Sequence, residues 1–196
     1  MKTFKVRNMV VTAVMSAVAA ILMFLEFSVP IMPSFIKFDL SELPALIVSF
    51  AIGPFWGGAV CLIKNLIKFA LGSYTAGIGE LSNFLLGIFF VVPAGMIYSK
   101  WRSRKGALIG SLVGAAIMAV ISLPINFYIT YPVYTAMMPV SEIVAAYQAI
   151  FGGVNGLFEC LLVFNVPFNL LKGLIDAIIT FVVYKKLSPI LKGKKV

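Results

Sequence analysis

Long apolar runs separated by short polar or basic stretches make up most of this chain. A membrane-spanning helix needs roughly 20 predominantly apolar residues, and on that measure the pattern predicts six helices. Helix 1 covers residues 8–27. A loop with Pro30, Pro33 and the sequence KFDLSELP follows. Helix 2 covers 42–58 and closes in the turn GPFWGG, and helix 3 is a short segment over 59–72. The Gly-rich stretch LGSYTAGIGE leads into helix 4 at 79–99. Helix 5 starts near Gly106, and Pro124 and Pro132 must kink or end it, since proline removes a donor and clashes with the preceding turn. A mixed stretch over 133–163 contains Glu142 and Glu159. Helix 6 covers 166–187. No internal repeat is visible.

The polar positions inside this apolar pattern carry the chemistry. On helix 6, Asn165, Asn169, Lys172 and Asp176 fall at i, i+4, i+7 and i+11, which at about 100° per residue is a single face. Charged groups in a spanning helix are costly, so they face an interior or a cavity and mark a functional site. If helix 6 begins near Asn165, a rise of 1.5 Å per residue puts Asn169 and Lys172 about 5–10 Å into the membrane. Asn126 lies about 20 residues after the start of helix 5, and Asn83 lies close to the start of helix 4. The 37–44 loop is at the same end, so these groups converge on one half of the bundle. Phe84, Phe127, Tyr128, Tyr131, Phe164 and Phe168 accompany them. A flat ligand with polar edges would use both features: aromatic faces for its rings, amides and an ammonium for its carbonyl and imide edge.

Each position also has a plainer reading. Asn165, followed by Pro167, suits a helix N-cap as well as a ligand contact. Asp176 suits an i+4 ion pair with Lys172. Asn126 could satisfy backbone freed by Pro124. Lys64 and Lys68 on helix 3 suit snorkelling or pairing with Glu80 and are assigned no site. On helix 1, Ala13, Ser16, Ala17 and Ala20 form a small-residue stripe, the kind of face that lets helices approach closely in lipid.

Composition fixes the class. The chain is 61% hydrophobic and 12% charged, against about 25% charged in soluble domains. This is an all-α integral membrane protein, with residues 1–196 as one transmembrane domain. The charge-then-apolar N-terminus resembles a signal peptide, but its apolar run is long and further spans follow, so it reads as the first span. The formal charge of +9 is not a nucleic-acid footprint, because the basic residues cluster at span ends. Lys2, Lys5 and Arg7, then Lys100, Arg102, Arg104 and Lys105, then Lys185, Lys186, Lys192, Lys194 and Lys195 make 12 of the 16 Lys and Arg. Six spans place all three groups on one face, which the positive-inside rule makes cytoplasmic, with both termini inside. The converging polar groups then occupy the outer half. The absence of histidine excludes His triads and His metal sites. Cys61 and Cys160 form no CxxC, so neither a disulfide framework nor a metal site is expected. No phosphate-binding GxxxxGK[ST] motif occurs, so any ATP-driven step needs other subunits. A proton-coupled carrier using Lys172 and Asp176 as a relay is the competing reading, and the missing repeat counts against it.

Several pieces, in order, resemble one family: KFDLSELPALI with Gly53-Pro54, Lys64-Asn65, Asn83 in GELSNFLLG, NFYITYPVY at 126–134 and PFNLLKGLID at 167–176. The chain resembles the substrate-binding S component of energy-coupling factor (ECF) vitamin transporters, most closely the riboflavin-specific branch. The resemblance implies a bacterial plasma-membrane protein of six helices, with an external loop covering a ligand pocket in the outer half. It implies Asn126, Asn169 and Lys172 as riboflavin contacts, with Leu40 over the ligand and Asn83 added. It also implies that Ala13 and Ala17 dock a transmembrane coupling subunit, that two ATPase subunits complete the importer, and that no cofactor is needed.

Overall fold

A computed structural model describes residues 2–191. Lys192, Lys194 and Lys195 of the charge pattern lie outside the described residues. Helix α1 (Lys2–Phe24) ends where the chain turns into a two-stranded antiparallel ribbon, β1 (Phe27–Ser28) with β2 (Lys37–Phe38). Then follow α2 (Glu42–Ile52), α3 (Pro54–Gly72), α4 (Ile78–Lys100) and α5 (Arg104–Ile125). A π turn (Asn126–Thr130) carries α5 directly into α6 (Tyr131–Tyr134). Helices α7 (Val140–Gln148) and α8 (Leu157–Cys160) follow, and a second π turn (Leu161–Asn165) leads into α9 (Val166–Leu191). Among the described residues, five segments are long and apolar enough to cross a membrane: Val6–Phe24, Pro54–Gly72, Ile78–Lys100, Arg104–Tyr134 and Leu157–Val183.

Helix 2 differs most from expectation. It was expected over 42–58, but it stops after 11 residues. Gly53 takes φ 121°, a region that side chains with a Cβ rarely adopt. Pro54 then starts α3 with its ring-fixed φ at the first helical turn. The reversal therefore falls five residues early, making α2 short and α3 full length. Helix α2 is buried on nearly every face, with Ala45, Leu46, Ile47, Val48, Ser49 and Phe50 all inaccessible. It packs against α1, α3, α4 and α9. A helix apolar all round is a buried one, and α2 is the axis of the bundle.

Close approach of α4 and α5 rests on Gly110 and Gly114. A Cβ added at Gly110 would meet the Ala94 carbonyl oxygen at 2.6 Å, and one at Gly114 the Phe90 carbonyl oxygen at 2.4 Å. This GxxxG pair brings the backbones together.

The two π turns mark where proline and polar side chains interrupt the helical ladder. Tyr131 N–H donates to the Asn126 carbonyl across the wider turn, just before Pro132, so the segment runs on to Tyr134 without ending. The last span likewise begins upstream of its predicted start. Asn165 is therefore inside a continuous helical segment and does not cap it. Lys172 consequently sits near the middle of the Leu157–Val183 span, deeper than a start at Asn165 implies.

Helix α1 splits its small residues between two faces. Ser16 and Ala20 are buried in the bundle. Ala13 and Ala17 are exposed and share a face with Met9, Val10 and Val14, also exposed.

Candidate binding site

One cavity of about 490 Å³ opens at the end of the bundle where α1 and α3 finish and α4 begins. Its size falls in the range of small-molecule pockets. Asn83 of α4, Asn126 of the first π turn, and Asn169 and Lys172 of α9 all line it. Leu40 does not. It is half-buried in an apolar cluster with Met32, Phe38 and Phe168, while Phe35, Ile36, Lys37 and Asp39 supply the loop's share of the wall. Asp39 and Leu40 are adjacent in the chain, and it is Asp39 that Lys172 draws into the cavity wall.

Neighbouring groups fix each amide. Asn65 donates to the Asn83 side-chain oxygen at 3.3 Å, leaving the Asn83 NH2 for the cavity. Ser82 donates to Asn126 Oδ1 at 3.4 Å, so Asn126 also presents donors. Asn169 Nδ2 donates to the Asn165 carbonyl at 2.8 Å, which leaves its Oδ1 as an acceptor. Asn165 lines the cavity too, its Oδ1 taken by the Tyr147 hydroxyl, so the amides offer donors from Asn83, Asn126 and Asn165 and an acceptor from Asn169.

Lys172 does not pair with Asp176, contrary to the i+4 expectation. Its ammonium contacts Asp39 Oδ2 at 3.0 Å and Glu42 Oε2 at 2.9 Å. Lys64 contacts Glu42 Oε1 at 2.6 Å and also donates to Ser41. All four charged residues are buried. Asp176 is fully buried, and among the described residues neither of its carboxylate oxygens has a hydrogen-bond partner. Two carboxylates on the ribbon–α2 segment outcompete one on the lysine's own helix because they bring further hydrogen bonds with them. Ser41 N–H donates to Asp39 Oδ1 at 2.8 Å, which turns the chain into α2. The Lys172 ammonium and the Ser41 N–H together compensate the buried Asp39 carboxylate.

Sequence reading left three parts of this site unassigned. Lys64 was given no role, although a lysine within a span needs an acid and Asp39 and Glu42 were at hand. Lys68 pairs with Glu26 at the cavity edge. Tyr147, in the mixed stretch, donates to Asn165 Oδ1 at 2.7 Å and meets the Tyr131 hydroxyl, stapling α6 and α7 to the second π turn. Burial, reinforced by Tyr131, pushes the Tyr147 phenol far above its ordinary value, so it stays a neutral donor. Its partners lie 16 and 18 residues away, a spacing with no local signature.

A helical bundle with five membrane-length segments among the described residues, and a polar-lined cavity at one end, defines a multi-pass membrane protein. The sequence profile of the family described as "ECF transporter, substrate-specific component" matches residues 7–184, and the chain belongs to that family. It is 31% identical over 189 residues to the riboflavin transporter FmnP of Bacillus subtilis (strain 168), covering 94% of both chains. It is 29% identical over 186 residues to the riboflavin transporter RibU of Staphylococcus aureus (strain TCH60), covering 95% of this chain and 93% of that one. A solved structure, the S component of a bacterial ECF transporter, superposes with a TM-score of 0.76 at 27% identity, covering 96% of this chain and 99% of the other. These relatives are transporters, not enzymes.

Proposed function

We propose that this chain is the riboflavin-binding subunit of an ATP-driven ECF importer in the bacterial plasma membrane. The observation that carries the reading is the convergence of Asn83, Asn126, Asn169 and Lys172 on one 490 Å³ cavity in a chain whose relatives are named riboflavin transporters. The imide edge of a flavin alternates carbonyl acceptor, N–H donor and carbonyl acceptor. The amide donors of Asn83 and Asn126 and the amide acceptor of Asn169 match those groups in kind. Phe168 and Met118 supply apolar wall for the rings.

The chain crosses the membrane six times with both termini inside, as the basic clusters require. The second crossing is composite: the ribbon and residues 39–41 fill its outer part and α2 its inner part. Non-helical backbone at that depth is tolerated because protein surrounds it. The cavity then opens outward, and the 25–41 loop covers it, latched through Asp39 to Lys172. Delivery inward requires a transmembrane coupling subunit, docked on the exposed Ala13–Ala17 face of α1, and two ATPase subunits.

The test is an absorbance spectrum of protein purified from cells, followed by titration with riboflavin. A flavin spectrum, or quenching of riboflavin fluorescence, is the expected result. Colourless protein that binds no riboflavin overturns the reading.

A further inference from the structure

Four carboxylates line the cavity: Glu26, Asp39, Glu42 and Glu80. Three are neutralised, Glu26 by Lys68, Asp39 by Lys172, and Glu42 by Lys64 and Lys172. Glu80 has no lysine or arginine within ion-pair distance among the described residues, yet its residue is only 7% exposed. One of its oxygens is held. Ser73 Oγ donates to Oε2 at 2.8 Å and Thr75 Oγ1 at 3.1 Å. Those hydroxyls are anchored in turn: Ser73 Oγ accepts from Gly77 N–H at 2.9 Å and Thr75 Oγ1 from Gly79 N–H at 3.1 Å. The α3–α4 turn thus folds onto the carboxylate and aims it. Both bonds go to Oε2; among the described residues no hydrogen bond holds Oε1, and Glu80 lines the cavity. A carboxylate so placed needs donors from whatever enters, because burying it unmatched is costly.

Glu80 precedes Asn83 by three residues on α4, about 4.5 Å nearer the start of that helix. The amide set therefore lies on one side of it, and the cavity edge with Thr75, Tyr74 and Lys68 on the other. A flavin whose imide edge meets the amides has its sugar-alcohol chain left to reach this edge. That chain is a row of hydroxyl donors, and hydroxyl-to-carboxylate bonds are short and strong. We propose that Glu80, preorganised by Ser73 and Thr75, is the acceptor that grips the hydroxylated tail of the ligand and makes the site discriminate against flavins lacking it. The inference rests on the riboflavin reading above.

The experiment compares riboflavin with lumiflavin, the same ring system carrying a methyl group in place of the tail. Fluorescence-quenching titrations are run on the wild-type protein and on Glu80→Gln, a near-isosteric change. Wild type is expected to bind riboflavin at least about 10-fold more tightly than lumiflavin, and Glu80→Gln to lose about 10-fold for riboflavin while lumiflavin stays within about twofold. Equal loss for both flavins makes Glu80 structural and overturns the proposal, as does unchanged riboflavin affinity. Equal affinity of wild type for the two flavins overturns it without any variant. Binding of neither flavin by wild type defeats the riboflavin reading itself; binding of riboflavin with indifference to Glu80→Gln defeats this inference alone.

Discussion

Lys172 sits between two demands. It lines the cavity, and it holds Asp39 and Glu42 of the ribbon–α2 segment at 3.0 and 2.9 Å. Lys172→Met should therefore weaken riboflavin binding by an order of magnitude or more. It should also lower stability by about 3–5 kcal/mol, the cost of leaving a buried charge without its partner. Calorimetry and flavin titration on one sample check both, and adding Asp39→Asn should recover part of the stability. Asp176 makes the opposite forecast. Its carboxylate is buried without a hydrogen-bond partner among the described residues, so Asp176→Leu should raise the melting temperature, by an amount equivalent to about 1–3 kcal/mol. A fall would show that it serves Lys172. The helix 6 stripe and the amides were legible because rare polar residues in apolar runs stand out. The partners of Lys172 were not, since an i+4 acid is visible in sequence while acids more than a hundred residues away are not.

At the scale of elements, hydrophobic run length located the long helices, and the prolines of helix 5 flank the π turn Asn126–Thr130. What run length cannot show is how an apolar run divides. Residues 42–72 are apolar almost throughout, and only the conformation of Gly53 decides that 11 residues belong to α2. Nor does it show a π turn, which inserts a residue without changing composition; hence the misplaced start of helix 6 at Asn165. The GxxxG of α5 carries its own forecast. Gly114→Leu drives a side chain into the Phe90 backbone at 2.4 Å, where no rotamer gives relief. It should separate α4 from α5 and abolish folded, monodisperse protein in size-exclusion chromatography. The same change at Gly152, with nothing within 4 Å of its Cβ, should be tolerated.

For the whole molecule, the division of α1 into a buried face and an exposed one lets the proposed binding and docking roles be tested apart. Ala13→Trp places bulk on the exposed face and should leave riboflavin affinity within about twofold, the surface-substitution range. The same variant should abolish ATP-dependent uptake by the assembled complex in proteoliposomes. This chain alone, given a pH gradient, should transport nothing; uptake under those conditions would favour the proton-coupled carrier. The short axial helix also bears on how the protein is made. Helix α2 has 11 residues and carries Glu42 in its first turn, well under the length and apolarity at which the insertion machinery accepts a span on its own. During synthesis it has to wait for α3, which follows through the Gly53–Pro54 reversal and brings Lys64 to neutralise Glu42. The two should enter the bilayer together as a hairpin, so a nascent chain truncated at residue 53 should fail to integrate its second segment, and one extended past residue 72 should succeed.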